Sequence, residues 1–300
     1  MITKTVIPAA GFGTRMLPAA KAVPKELLPI LDRPTIQYVV EEAADAGIED
    51  VLLITSHGKR SLEDHFDRNA ELEQRLAAGN KTALLRSVDE LIARVKVHSV
   101  RQAEQKGLGH AVLQARRHVG DQPFLCQLGD AIFSPPPAPA SGAPAARQQL
   151  PAAQLVAAYE QFKTPIIGLE RVPQEKVDRY GIVGGDEISP GVLRLNTLVE
   201  KPSRDAAPSN FAICARYLLT PDVFECLDRT PPGKGGEIQL TDAIKLLLER
   251  TPIHGVVLHA TRHDIGNPTD WLRTNLVYAR RNPEVWTQIA PLLKELLGGA

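Results

Sequence analysis

A short apolar run, Thr5-Val6-Ile7, breaks directly into the glycine-rich stretch Ala9-Ala10-Gly11-Phe12-Gly13-Thr14-Arg15, and this junction narrows the folds open to the chain. A buried strand that ends in such a turn belongs to α/β architectures, which place phosphate-bearing ligands at the carboxyl edge of a first parallel strand. Gly11 and Gly13 lack Cβ, so the backbone can take positive φ and bring its N–H groups close to anionic oxygens. Arg15 can fork onto two phosphate oxygens, and Lys25, just after Pro24, adds a mobile point charge. These are the parts needed to hold a triphosphate and stabilise charge while one phosphoryl group is attacked. No Gly-Lys-Ser/Thr closes the run, and no third glycine makes it a dinucleotide fingerprint. A lone Gly-x-Gly is also an ordinary strand–helix turn; Thr14-Arg15 and Pro24-Lys25 favour the phosphate.

Downstream, residues 34–46 read as a helix, with proline near its start and Gly47 at its stop. Strands are expected at 51–55, 95–100, 124–128, 165–169, 192–199, 210–218 and 256–258, and helices at 62–76, 152–162, 269–281 and 284–297. Strands alternating with helices predict a mostly parallel, doubly wound sheet. At 300 residues, 43% of them hydrophobic, the chain can bury a substantial core as one large or two closely joined domains. Lys+Arg 35 balance Asp+Glu 35, so no bulk field points to nucleic acid or an anionic membrane. Cys126, Cys214 and Cys226 show no metal-ligand spacing and read as reduced core thiols. The sequence has neither a signal-peptide pattern nor a membrane-length apolar run, so a soluble cytoplasmic protein is expected.

The third strand runs into Arg101-Gln102, with Gly107-Leu108-Gly109-His110 close behind. A glutamine donates and accepts at once, as the imide edge of uracil or thymine requires; on spacing alone, a surface loop with a glycine-capped helix fits equally. Asp130 follows the fourth strand, where a carboxylate can bind Mg²⁺ or simply cap a turn. The Pro/Ala-rich tract 134–151 is expected to be an exposed, partly disordered connection. Gly181 allows close backbone approach or marks a strand bend. Glu200-Lys201-Pro202 suits a sugar hydroxyl and a phosphate, or is an exposed ion pair. A helix is expected to begin within 236–244, shaping the pocket, and Asp264 is the natural second carboxylate for the Mg²⁺ of Asp130.

The glycine stretch, its continuation Met16-Leu17-Pro18 and Lys21-Ala22-Val23-Pro24-Lys25-Glu26 together resemble the sugar-1-phosphate nucleotidylyltransferases. Within them the chain is most similar to the bacterial UTP–glucose-1-phosphate uridylyltransferase family. The likeness runs from Thr5 to about Arg281 and breaks only in the proline-rich tract. It implies an α/β, Rossmann-like, doubly wound mixed sheet of the glycosyltransferase-A-like kind, as one large domain. Residues 1–133 would be its nucleotide-binding half, 134–151 a loop, 152–282 the sugar-phosphate-binding half and 283–300 a C-terminal helix. The implied reaction converts UTP and α-D-glucose 1-phosphate to UDP-glucose and pyrophosphate. The resemblance assigns Gln102 and Gly107 to the uracil, helped by Ala9, Ala10 and Gly11, with Gly13, Thr14 and Asp130 completing the nucleotide site. Lys25 would meet the α-phosphoryl oxygens, Arg15 the departing pyrophosphate and Lys201 the sugar phosphate. Gly181 and Glu200 would serve the glucose, and Asp130 and Asp264 would hold Mg²⁺. A homodimer or homotetramer is also implied. Two positions depart from the pattern: Ala215 replaces the usual glycine, and Pro268 stands where relatives often have lysine. The alternatives are an enzyme using dTTP or another hexose 1-phosphate, and a non-catalytic paralogue. The paralogue should have lost the Gly-Thr-Arg triplet or a metal aspartate, and this chain keeps both.

Overall fold

The computed structural model of the protein describes residues 1–136 and 150–298. The opening apolar run is the middle of β1 (Lys4–Pro8). A minimal hairpin, β2 (Pro29–Ile30) with β3 (Arg33–Pro34), leads into α1 (Thr35–Asp45), which packs Ile36, Val39 and Val40 against the Ile7 face of the sheet. β4 (Asp50–Thr55) is followed by three helices, α2 (Arg60–Asp64), α3 (Ala70–Ala78) and α4 (Thr82–Arg94), before β5 (Lys96–Arg101). Next come α5 (Leu108–Leu113), α6 (Arg116–Val119), β6 (Phe124–Gln127) and the short β7 (Ala131–Ser134). Strands β5, β4, β1 and β6 lie side by side and parallel, so their carboxyl ends share one edge. Val6 on the other face joins Leu52, Val112 and Ile244 in a second core layer.

The rest of the chain extends the same sheet. It supplies α7 (Pro151–Phe162), β8 (Ile166–Arg171), β9 (Gly181–Ser189), β10 (Val192–Glu200) and β11 (Phe211–Leu219). Then follow α8 (Asp222–Arg229), α9 (Leu240–Leu248), β12 (His254–Val257), β13 (Thr261–Asp264), α10 (Pro268–Arg281) and α11 (Pro283–Gly298). The nine-stranded order is β5-β4-β1-β6-β11-β8-β12-β10-β9. β11 runs antiparallel to both its neighbours, and β10 is antiparallel to β12 and β9. The expected sheet is therefore parallel in its first half and mixed thereafter. β7 leaves the sheet and pairs antiparallel with β13, setting Asp264 opposite Ala131.

Local chemistry accounts for the shifted boundaries. The helix expected over 62–76 divides, because Asn69 caps a new start by accepting the Leu72 N–H. The helix expected from 236 begins only at Leu240, since Gly235 and Gly236 both hold φ 76°, outside the helical range. Most of the proline-rich tract lies outside the described residues, but its ends do not: Ser134 closes β7 and Pro151 opens α7.

Candidate active site

The carboxyl edge of the parallel strands surrounds a cleft of about 460 Å³. Ala9, Ala10, Gly11, Gly13 and Thr14 line it from the loop after β1, Gln102 and Gly107 from the loop after β5, and Lys25 and Asp130 from its floor. Gly13 has φ 66°, which starts the one-turn helix Thr14–Met16 and turns the loop back over the strand end. Gly107, at φ 94°, answers a second need: a Cβ there would stand 2.8 Å from both Glu237 Cβ and the Ile238 carbonyl. That contact seats the loop on the segment before α9, with Gly109 N–H donating to Ile238 O at 2.8 Å and Ile238 N–H to Lys106 O at 2.7 Å.

Gln102 is 4% exposed, and its amide nitrogen is committed to Gly107 O at 3.1 Å and His110 Nδ1 at 2.9 Å. Its carbonyl oxygen is thereby oriented as an acceptor, the group that an imide N–H needs. Gln105, which the sequence reading passed over, donates to Ala10 O at 2.8 Å and ties the two loops together. Glu237, in the stretch expected to shape the pocket, also lines the cleft.

Lys25 Nζ meets Asp130 Oδ2 at 2.5 Å. Burial alone would lower the lysine and raise the aspartate; their mutual attraction prevails, so Lys25 is held above and Asp130 below its ordinary value, both charged. Beneath them lies a second pair without any local sequence signal. Lys59 donates to both Glu26 oxygens, at 3.1 and 2.9 Å, and to Ala9 O at 2.5 Å, with Glu26 1% and Lys59 8% exposed. Burial raises the Glu26 carboxyl and lowers the Lys59 ammonium, each opposed by the other's charge.

Asp264 reaches the same edge from β13: Ile265 N–H donates to Asp130 O at 3.1 Å, and Asp264 Oδ1 accepts the Gly266 N–H at 2.8 Å. Arg15 lies across Gly266, where a Cβ would stand 2.7 Å from Nη2 and 2.9 Å from Asp264 Oδ1. Among the described residues no group of three or more His, Cys, Asp or Glu forms a ready metal cage. Two partly exposed carboxylates do fit Mg²⁺, a hard cation that takes one or two of them and completes its octahedron with phosphate oxygens and water.

Gly181, Glu200 and Lys201 come together but stand outside the lining of the nucleotide cleft. Gly181 and Glu200 are cross-strand partners on β9 and β10, and a Cβ on Gly181 would stand 3.2 Å from Glu200 Oε2. Lys201 directly follows β10 at φ 46°, its N–H on Tyr180 O at 3.0 Å and its ammonium 3.3 Å from Glu200. Arg262 bridges to the edge that carries Asp264: it lies 5.0 Å from the Tyr180 ring, 2.6 Å from Glu170 and 3.9 Å from Asp264. A glycine-rich loop, an amide-bearing loop and two carboxylates gathered on one edge of a mixed sheet suit a nucleotidyl-transferring enzyme. Residues 4–281 match the nucleotidyl transferase family, and the chain belongs to that family.

Within it the chain groups with the UTP–glucose-1-phosphate uridylyltransferases. It is 43% identical to such an enzyme of Bacillus subtilis (strain 168), over 99% of this chain and 97% of that one. Among solved structures, a UTP-bound UGPase from Acinetobacter baumannii superposes with a TM-score of 0.89 at 37% identity, covering 99% of this chain and 100% of that one. A UDP-glucose pyrophosphorylase complexed with UDP-glucose gives 0.84 at 38% identity, covering 94% and 100%.

Proposed function

We propose that this chain transfers the uridylyl group of UTP to α-D-glucose 1-phosphate, giving UDP-glucose and pyrophosphate. The observation that carries the reading is one cleft in which the glycine loop, the Gln102–Gly107 loop and the Lys25–Asp130 pair converge. A phosphate oxygen of the sugar attacks the α-phosphorus in line; the new O–P bond forms as the bond to pyrophosphate breaks. The nucleophile is already an anion, so no general base is required, and catalysis rests on alignment and charge. Lys25, kept charged by Asp130, meets the α-phosphoryl oxygens, and Arg15 stabilises the departing pyrophosphate. Lys201 receives the incoming phosphate, Glu200 accepts from glucose hydroxyls, and Gly181 leaves room for the ring. Gln102 and the backbone at Ala9, Ala10, Gly11 and Gly107 read the base, with Gly13 and Thr14 on the phosphates. Asp130 and Asp264 would hold Mg²⁺, which when bound supplies charge neutralisation to the phosphates.

The same reading divides the chain into a nucleotide half, 1–133, a connecting tract, 134–151, a sugar-phosphate half, 152–282, and a terminal helix, 283–300. It makes the enzyme cytoplasmic and a homodimer or homotetramer. Three buried free cysteines support a reducing compartment. Leu292, Leu296 and Leu297, exposed on α11, support association between copies. Among the described residues no helix is long and apolar enough to cross a membrane.

Pyrophosphate release with glucose 1-phosphate and Mg²⁺, run beside UTP with dTTP, CTP, ATP and GTP, tests the proposal. Strong turnover with UTP, abolished by chelation, is expected. Preference for dTTP would move the chain to a thymidylyl activity, since the two bases differ by one methyl. Lys25→Ala and Asp130→Ala should each lower kcat by about 10²-fold or more; near-normal turnover in either would remove that residue from the mechanism.

A further inference from the structure

Among the described residues Arg216 is the bulkiest fully buried side chain, with 0% exposure, on the face of β11 that also carries Cys214 and Leu218 and next to a backbone irregularity. β11 slips register against β8 between Ile213 and Tyr217, and Ala215 inside the slip has φ 62°. A non-glycine residue persists in the left-handed region only where its surroundings enforce it. The side chain that follows it is a guanidinium with every arm engaged. Nε and Nη2 meet the two Glu42 oxygens at 3.0 and 2.8 Å, Nη2 also donates to Ala131 O at 2.9 Å, and Nη1 donates to Ala215 O at 3.0 Å. The Phe133 ring lies 4.6 Å away, and Glu42 Oε1 accepts the Ala152 N–H at 3.0 Å.

Ala131 directly follows Asp130 and faces Asp264 across the β7–β13 ribbon. At the other end of the same turn, Leu128 N–H donates to Ala215 O at 3.2 Å. The bulge and its arginine therefore grip the turn carrying Asp130 at both ends. A buried ion pair that served stability alone could be replaced by apolar groups of equal volume at little cost. The carbonyl contact beside Asp130 gives this one a further use.

We propose that Arg216 is a positioning residue: by holding the Ala131 carbonyl it fixes the Asp130–Ala131 peptide, so that Asp130 and Asp264 are presented together to a divalent cation. The proposal rests on the reading of those two aspartates as the metal pair. In a loosened turn Asp130 stays with Lys25, its nearest charge, and no longer meets Asp264 across the ribbon.

Mn²⁺ binding in the presence of UTP tests it, read as water-proton relaxation enhancement above that of Mn²⁺–UTP alone, together with the melting temperature without metal. The proteins compared are the unaltered chain, Arg216→Lys and the double variant Glu42→Leu/Arg216→Met. Lysine keeps a charge for Glu42 but cannot hold the carboxylate twice and two carbonyls as well; the double variant removes the pair without stranding a charge. Both variants are expected to fold, to bind Mn²⁺ about tenfold or more weakly, and to keep the KM for glucose 1-phosphate. Unchanged Mn²⁺ binding in either folded variant overturns the proposal, and so does failure of both to fold, which assigns Arg216 to the fold alone. If the unaltered chain gives no enhancement, the aspartate pair itself is misread and the proposal falls with it.

Discussion

Lys59 supports the glycine loop from below, its ammonium fixing Ala9 O and both oxygens of Glu26 almost entirely out of water. Removing one member of such a pair leaves an uncompensated charge in the interior. Lys59→Met should therefore destabilise the protein by about 3–5 kcal/mol, measured by urea unfolding, and Glu26→Gln/Lys59→Met should recover part of that loss. Ala215 carries the opposite expectation. At φ 62° its Cβ crowds the following carbonyl, a strain of about 1–2 kcal/mol that glycine avoids. Glycine also gives the unfolded chain more freedom to lose, so Ala215→Gly should gain up to about 1 kcal/mol, seen as a higher urea midpoint with an unchanged slope. The sequence made Ala215 visible as a departure from the glycine usual in similar chains. It did not make Arg216 visible as buried, because an arginine on the same strand face as Cys214 and Leu218 is explained only by Glu42, 174 residues away in the chain. Lys59 was equally hidden, since 33 residues separate it from the acid that explains it.

At the scale of elements, the loop after β5 and the segment before α9 act as one piece, joined by backbone hydrogen bonds on both sides of Gly107. A methyl group at Gly107 meets Glu237 and Ile238 at 2.8 Å and strains a φ of 94°. Gly107→Ala should raise the KM for UTP at least about tenfold and also lower the melting temperature, as steady-state kinetics and thermal unfolding would show. Loops and strands that announce themselves locally were legible beforehand: the glycine run, the apolar strands β1, β4 and β6, and α1 with its proline and glycine limits. The β7–β13 ribbon was not, for each partner has only four residues and its hydrogen bonds join positions far apart in the chain. That ribbon sets Asp264 opposite the residue after Asp130, so the two carboxylates could be named from sequence while the device that aligns them could not.

For the whole molecule, titration adds a test of the packed state. Burial lowers the imidazoles of His65 and His254 below their ordinary 6.5. The unfolded chain then binds more protons than the native one below about pH 6.5, so stability is complete above that value and declines as pH falls through it. The urea midpoint at about pH 5.5 should lie below that at about pH 7.5, and His254→Gln should narrow the difference, leaving the share of His65. The sheet itself was only half readable. Continuous apolar runs announce buried parallel strands, whereas the antiparallel placing of β11 between β6 and β8 follows from packing between distant parts of the chain. One margin of that sheet is β5, which has a partner on one side only. An unpaired strand is an open invitation to any other chain with extended backbone to spare, and at cellular concentrations this is a route to precipitation. Lys96 and Arg101 are exposed along that margin. A second copy docking there strand to strand would bring these like charges close together, so repulsion guards the margin against open-ended strand pairing.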